Sequence, residues 1–397
     1  MRSMHPSKKV LFSKSKKLEG KRISLGITSS VAAVETIALA RELIRHGAEI
    51  QPFMTKETTK IIAPEAIEFA TGNKPILELG GEVEHITFCS SDLLLIAPCT
   101  ANTISKIALG ICDNALTSLA FSSLGAGIKI IIAPAMHETM YKNQILRENM
   151  KKLADYGVEF IEPRIEEGSA KLQKIPEIVS NVIRALGKKD FKGKKILVIG
   201  GATREKIDEI RFITNTATGI SAVEIAKEGY ERGAEVEVWA PDNIDLPSYI
   251  KKRNFGDLSD LLRIVKNAKS FDIVLVPAGI TDFIVKKTGG KISSDKELIL
   301  KLEPAPKFIS KLRKIAKGYI VGYKLEAGIS REELIKRGFD FLRKNNLQLV
   351  VANRIEDVEK DRNKVELIDR DGEAITIEGK KSLIATELLN KVIKDLK

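Results

Sequence analysis

Two turns rich in glycine and hydroxyl side chains carry the residues best suited to chemistry. At mid-chain the apolar run Ile196–Leu197–Val198–Ile199 empties into Gly200–Gly201, and Thr203 and Arg204, both able to hold anionic oxygens, follow at once. The polar loop Thr214–Asn215–Thr216–Ala217–Thr218–Gly219 then leads into a helical pattern from Ile220. A strand that opens through glycines into polar donors beside a helix start is a phosphate site, because free backbone N–H groups and the helix dipole both face the anion. The earlier turn, Gly26–Ile27–Thr28–Ser29–Ser30, departs from GxGxxG, which a dinucleotide pyrophosphate wants. A hydroxyl-rich turn suits a single phosphate better, as in FMN, and Ser29 and Ser30 read equally as plain helix caps.

Two more loops follow apolar runs. Leu93–Leu94–Leu95–Ile96 is followed by Pro98–Cys99–Thr100–Ala101–Asn102–Thr103, whose small side chains and donors can lie close to a flat heteroaromatic ring and bond its edge. Ile128–Lys129–Ile130–Ile131–Ile132 is followed by Pro134–Ala135–Met136–His137–Glu138–Thr139–Met140–Tyr141, with an adaptable thioether and a titratable imidazole. A lone histidine is usually packing or surface, but His85 follows Glu84, a pairing able to hold an imidazole protonated against a carboxylate substrate.

The elements that must position these groups read as alternating strands and helices. Ile23–Thr28 is a strand, a helix runs to about Arg45, Gly47 ends it, and Glu49–Met54 is the next strand. The long apolar runs are central strands of a parallel sheet covered by helices, and ligands of such sheets bind at the strands' carboxyl ends. The second half repeats this outline: Arg41–Ile50 and Lys227–Val236 each join a helix end, a glycine and a strand start. Ile273–Val276 and Leu347–Val351 are later strands, and Asp371–Gly372 is a hairpin turn. A chain of 397 residues exceeds what one core usually serves. The expected division is a solvated basic arm over 1–20, one α/β domain over 21–187 and a second over 188–397, with Gly187–Gly193 as linker.

The net charge of +12 comes with no aromatic platform and no nucleic-acid motif, so small anionic substrates are expected and nucleic acid is not. No apolar run reaches the roughly 20 residues that span a membrane. Three cysteines, Cys89, Cys99 and Cys112, form no CxxC pair, which points to a reducing compartment, the cytoplasm.

Gly-Ile-Thr-Ser-Ser, the Pro-x-x-Ala-Asn-Thr loop and Pro-Ala-Met-x-x-x-Met-Tyr together resemble the flavin-dependent cysteine decarboxylases. Gly-Gly-Ala-Thr-Arg-Glu, Arg211–Gly219 and Pro277–Ala278–Gly279–Ile280–Thr281–Asp282 resemble phosphopantothenate–cysteine ligases. Their order resembles the bifunctional coenzyme A biosynthesis family, from about Arg22 to the C-terminus. The resemblance implies two Rossmann-like domains, the first flavodoxin-like and the second nucleotide-binding, each with a mainly parallel sheet between helices. It implies FMN-dependent decarboxylation of 4′-phosphopantothenoylcysteine to 4′-phosphopantetheine in the first. FMN would be held by Gly26, Thr28, Ser29, Ser30, Thr55, Pro98, Thr100, Ala101, Asn102, Thr103 and Met136, with His85 and His137 catalytic. In the second it implies condensation of 4′-phosphopantothenate with cysteine through an acyl-cytidylate made from CTP. Asn215 and Lys291 would be catalytic there, with Gly201, Thr203, Ala278, Asp282, Lys291, Pro306, Lys307, Tyr323 and Lys344 on the nucleotide and Mg²⁺ at Asp282. It further implies a homo-oligomer, trimeric through the first domain and dimeric through the second.

Two positions depart from the family pattern. His137 stands where the family has asparagine, and Glu166–Lys171, which corresponds to a substrate clamp that commonly carries a cysteine, has none; Lys171 is the acid left there. A ligase whose flavin domain has altered or lost decarboxylation is therefore a second reading. A tandem-Rossmann NAD oxidoreductase is a third, opposed by the absence of GxGxxG.

Overall fold

The structure, a computed structural model, describes residues 5–295 and 297–396. The chain divides into two compact units between Gly187 and Lys188. The first is built on five parallel strands in the order Glu49–Met54, Arg22–Ile27, Leu93–Cys99, Ile130–Pro134, Glu159–Phe160. Leu93–Cys99 is buried at every position, as a strand covered on both faces must be. Leu93 and Leu95 point into a core shared with Leu39, Leu43 and Ile178 of helices Thr36–Arg45 and Ile175–Leu186. Leu94 and Ile96 point the other way, toward Ile104, Leu116 and Leu153 of helices Ala101–Leu109, Ala115–Gly125 and Gln144–Asp155. Numbered along the chain the order is 2-1-3-4-5, the flavodoxin-like one, and its direction reverses between Arg22–Ile27 and Leu93–Cys99.

The second unit carries eight strands: Lys251–Asn254, Glu235–Ala240, Lys195–Ile199, Ile273–Leu275, Tyr319–Glu326, Leu349–Arg354, Arg362–Asp369, Ala374–Lys380. The first six are parallel and the last two antiparallel, joined across Asp371–Gly372, with Gly372 at φ +83°. The parallel part has the Rossmann order 3-2-1-4-5-6, reversing between Lys195–Ile199 and Ile273–Leu275. Ile196 and Val198 face helices Ile220–Glu231 and Lys381–Asp395, whereas Leu197 and Ile199 face Leu258–Ile264 and Phe308–Ile315. Two small antiparallel ribbons follow the switch-point strands: Arg204–Lys206 with Phe212–Thr214, and Phe283–Val285 with Leu302–Pro304. The two α/β halves and their mainly parallel sheets agree with the sequence expectation.

Two expectations need correction. Residues 5–20 are not a solvated arm: Leu18 has no exposed surface, its N–H bonds His46 O at 2.9 Å, and Lys14 is ion-paired with Glu42. Burying one leucine stabilises by about 1.5–3 kcal/mol, enough to dock a short segment that five lysines made look solvated. The supposed linker is likewise packed into the second unit. Phe191 is fully buried beneath the Arg232 guanidinium, which also pairs with Asp190 at 2.6 Å.

Candidate functional site

At the switch point of the first unit a buried hydroxyl ties two loops together. Thr28 follows the strand Arg22–Ile27; its Oγ1 donates to Pro98 O at 3.0 Å and accepts from the Thr100 N–H at 3.0 Å. With its hydroxyl so committed and 1% exposed, Thr28 positions the loop rather than contacting a ligand, and buried Pro98 takes part through its carbonyl. Gly26 has a packing role as well. A Cβ there would lie 2.6 Å from Leu116 Cδ1, so the glycine serves close packing of strand on helix. Thr100 caps the helix Ala101–Leu109 by accepting from the Thr103 N–H, and Ser30 caps the turn Val31–Glu35.

Beside this tie lies a cleft of about 650 Å³, lined among others by Ser29, Thr55, Asn102, Thr103, Lys106 and Cys112. No hydrogen bond among the described residues engages the Asn102 amide, which leaves both its ends for a ligand. Hydroxyls and a free amide at the switch point of a flavodoxin-like sheet are a donor set that fits a phosphate and the edge of a flat ring.

Met136 and His137 form a short strand paired in register with Ala170 and Ser169, so two stretches some thirty residues apart in sequence meet in one three-stranded sheet. The third strand, Arg164–Glu166, turns into Ser169–Lys171 through Glu167 and Gly168, both left-handed at φ +50° and +70°. His137 is exposed and heads the short helix Glu138–Tyr141. Lys171 bonds Glu167 at 2.5 Å, which raises its pKa and makes it a poor acid.

His85 sits in the four-residue helix Glu84–Thr87, with a buried Nδ1 that has no hydrogen-bond partner among the described residues. The expected hydrogen-bonded pairing with Glu84 is absent among the described residues, and His85 is only a lesser electrostatic influence on that carboxylate. The Glu84 carboxylate turns back to accept the Gly80 N–H at 2.8 Å, the largest cause of its lowered pKa. Adjacent helical residues point away from one another, which explains the miss.

The second unit repeats the tie with different atoms. Gly279 donates its N–H to Gly201 O at 2.9 Å, and Thr203 donates its own to Gly279 O at 3.2 Å. The fully buried Thr203 hydroxyl accepts the Thr281 N–H at 3.0 Å, so Thr203, like Thr28, positions a loop instead of meeting the nucleotide. Asn215 Nδ2 donates to Gly279 O at 2.6 Å while Oδ1 accepts the Ala217 N–H at 3.1 Å; one amide hydrogen is left over. Gly279 has no room for a side chain, since a Cβ would fall 2.1 Å from Asn215 Oδ1. Helix Ile220–Glu231 starts at this edge behind Gly219, at φ +78° and with no side-chain cap, so its first N–H groups remain open to an anion.

Asp282, Pro306 and Lys307 gather at the same edge: Lys307 is ion-paired with Asp282, whose carbonyl accepts the Ala305 N–H at 2.9 Å. Ala278 directly precedes Gly279, between the strand Ile273–Leu275 and this edge. Lys291 is exposed on the segment after the strand Phe283–Val285. One expected nucleotide residue lies elsewhere. Lys344 ends the helix Arg331–Lys344, before the strand Leu349–Arg354, and so stands at the amino edge of a parallel sheet whose carboxyl edge bears Gly201 and Ala278. Tyr323 alternates with Tyr319 and Val321 toward the helix side and lines a small cavity with Ser221, at the start of helix Ile220–Glu231, and with Asn363 and Lys381; burial pushes its phenol pKa up. No group of three metal-ligating side chains occurs among the described residues. Asp282 alone fits a cation only as one ligand beside the phosphates of a nucleotide.

A flavodoxin-order unit with a hydroxyl- and amide-lined cleft, followed by a dinucleotide-order unit with an anion-facing helix start, defines a two-headed α/β flavoprotein. Residues 11–187 match the Flavoprotein family, and 191–396 match the DNA/pantothenate metabolism flavoprotein C-terminal domain. The chain is 45% identical to the coenzyme A biosynthesis bifunctional protein CoaBC of Thermococcus kodakarensis, over 93% of this chain and 94% of that one. To its counterpart in Methanocaldococcus jannaschii it is 42% identical, over 88% and 87%. A solved C-terminal domain of a coenzyme A biosynthesis bifunctional protein covers 53% of this chain and 98% of its own, at 24% identity and a TM-score of 0.45. The chain belongs to the coenzyme A biosynthesis bifunctional protein family, which joins a decarboxylase to a ligase.

Proposed function

We propose that the second unit makes 4′-phosphopantothenoylcysteine and the first decarboxylates it to 4′-phosphopantetheine. The observation that carries this reading is the occurrence, in one chain, of two switch-point sites of different donor chemistry, each tied by a buried threonine. In the second unit the carboxylate of 4′-phosphopantothenate attacks the α-phosphate of CTP, forming the acyl-cytidylate and releasing pyrophosphate. The cysteine amine then displaces CMP. The spare Asn215 N–H meets the oxygen that gains charge, Lys291 and Lys307 offset phosphate charge, and the open helix start behind Gly219 receives an anionic oxygen. Asp282, once Lys307 turns to phosphate, would be the protein ligand of a Mg²⁺ carried on the triphosphate, and that ion would supply charge screening.

In the first unit Ser29 and Ser30 hold the FMN phosphate, and Asn102 and Thr103 hold the ring edge. When bound, FMN supplies reversible two-electron oxidation at the cysteinyl thiol carbon, which makes loss of CO₂ feasible. His85 and His137 receive the substrate carboxylate as hydrogen-bond donors, and the hairpin ending in Lys171 covers the substrate from the Met136 side. The enzyme works as a homo-oligomer in the cytoplasm, on small phosphorylated substrates.

The test supplies 4′-phosphopantothenate, cysteine, CTP and Mg²⁺ and follows pyrophosphate, then 4′-phosphopantetheine. Asn102→Leu is expected to purify without flavin yet release pyrophosphate normally. Asn215→Asp is expected to keep its flavin and decarboxylate supplied 4′-phosphopantothenoylcysteine while losing roughly 10²–10³ in ligase rate. Stoichiometric flavin in the first variant, or near-normal ligase turnover in the second, would defeat the corresponding assignment.

A further inference from the structure

Asp208 occupies the turn of the ribbon Arg204–Lys206/Phe212–Thr214, yet it has no exposed surface. Its Oδ1 accepts the N–H groups of Ile210 at 2.8 Å and Arg211 at 2.6 Å. Its Oδ2 accepts Arg211 Nη1 at 2.8 Å and, from 84 residues further on, the Ile292 N–H at 3.2 Å. Arg211 Nη1 also donates to Ile292 O at 3.1 Å, so both backbone groups of Ile292 are held by one ion pair. The neighbouring backbone is fastened too: Glu209 N–H to Gly290 O at 3.3 Å and Thr288 N–H to Ile207 O at 2.9 Å. Lys291 stands between two held residues, Gly290 and Ile292.

The other end of this ribbon is the nucleotide edge, where the Thr214 hydroxyl donates to Thr203 O at 2.7 Å and Asn215 follows. Three residues per strand separate the two ends, roughly 10 Å at about 3.4 Å per residue. The ribbon is thus a spacer with Asn215 at one end and the anchor of Lys291 at the other. Burying a carboxylate is costly unless its oxygens are fully bonded; here Oδ1 is bonded within the ribbon turn, and both bonds to Oδ2 serve that anchor.

We propose that Asp208 is a positioning residue for the nucleotide step: by clamping Ile292 to the ribbon turn, with Arg211, it holds Lys291 at a fixed span from Asn215. This rests on the reading of Lys291 and Asn215 as nucleotide-site groups. Asparagine at 208 keeps the shape but presents an N–H₂ where Oδ2 accepted two donors, so the clamp on Ile292 opens.

The experiment is a double-mutant cycle on the full chain, reading initial rates of pyrophosphate release against CTP concentration for Asp208→Asn, Lys291→Ala and the pair. Asp208→Asn is expected to lose about 10²-fold in kcat/KM for CTP, as misplacement by about 1 Å can cost. The pair should be no worse than Lys291→Ala, because a misplaced lysine and a missing one forfeit the same contact. Flavin content and decarboxylation should not change. Losses that multiply in the pair, or wild-type CTP kinetics in Asp208→Asn, would overturn the proposal. A Lys291→Ala variant with unchanged CTP kinetics would instead remove the site reading on which it rests. If Asp208→Asn does not fold, Arg211→Lys takes its place in the cycle: it keeps the charge but loses the planar fork that spans Asp208 and Ile292. The same non-additivity is expected, and multiplying losses overturn the proposal equally.

Discussion

Asp208 also makes a stability statement. The N–H groups of Arg211 and Ile210, with further bonds from Ile292 and the Arg211 charge, hold its pKa down to about 2 from an ordinary 3.8. A carboxyl whose folded pKa lies below its unfolded value stabilises fully above the unfolded value, and that contribution is lost as pH falls through the folded one. Asp208→Asn should therefore lower Tm by a constant amount from pH 7 down to about 4, with the deficit closing between pH 4 and 2. Calorimetry at stepped pH checks this, and a deficit still constant at pH 2 would contradict it. Single residues were unevenly legible in the sequence. Asn102 and Asn215 stand out by type, as amides just after strand ends, although Asn215 also spends its amide on Gly279 and Ala217. Thr28 and Thr203 were read as ligand contacts because a hydroxyl in a phosphate-type turn looks the same whether it faces the ligand or the neighbouring loop. Asp208 was passed over because a carboxylate in a polar turn ordinarily lies in water, and only a segment 84 residues away reveals otherwise.

At the scale of elements, the approach of helix Ile220–Glu231 to the strand Lys195–Ile199 is set by one glycine. A Cβ on Gly200 would lie 2.1 Å from Ala222 Cβ, which forces the helix start away from the strand end. Gly200→Ala should thus cut ligase rate and melting temperature together, while Ala222→Gly added to it returns the missing volume and restores most of the rate. The restored protein should stay slightly less stable, since glycine inside a helix costs about 1 kcal/mol relative to alanine. A pair no more active than Gly200→Ala alone would show that the close approach is not what matters. The same glycine logic governs what the sequence disclosed of the fold. Gly47 and Gly233, at φ +102° and +96°, mark the helix-to-strand passages of both halves and were readable as such. The strand Tyr319–Glu326 was not recognised. Gly322 interrupts its apolar run for a reason that lies outside the segment, room for Leu347 and Phe341, and its second half, Lys324 and Glu326, is polar. The ribbons escaped for a related reason: three-residue strands carry too little periodicity to register.

For the molecule as a whole, both units leave large apolar side chains in water. Val31, Leu109 and Phe121 are exposed on the first, and Ile210 and Phe283 on the second. Single exposed apolar side chains are ordinary on any chain, so the expectation of assembly rests on the family resemblance. We expect association through both units, trimeric through the first and dimeric through the second, which generates a larger closed particle. Solution scattering at micromolar concentration decides this, and a monomer mass would refute it. The two threonine ties carry a further consequence, for the order in which the molecule comes together and apart. Thr28 meets Thr100 across 72 residues, and Thr203 meets Thr281 across 78. Bonds that close such long stretches of chain form only after the strands between them have paired, and contribute little to the barrier that precedes them. During refolding, helicity should return before either activity. In rising denaturant both activities should fade while helicity persists, and loss of all three signals at one midpoint would show instead that the ties belong to the cooperative core.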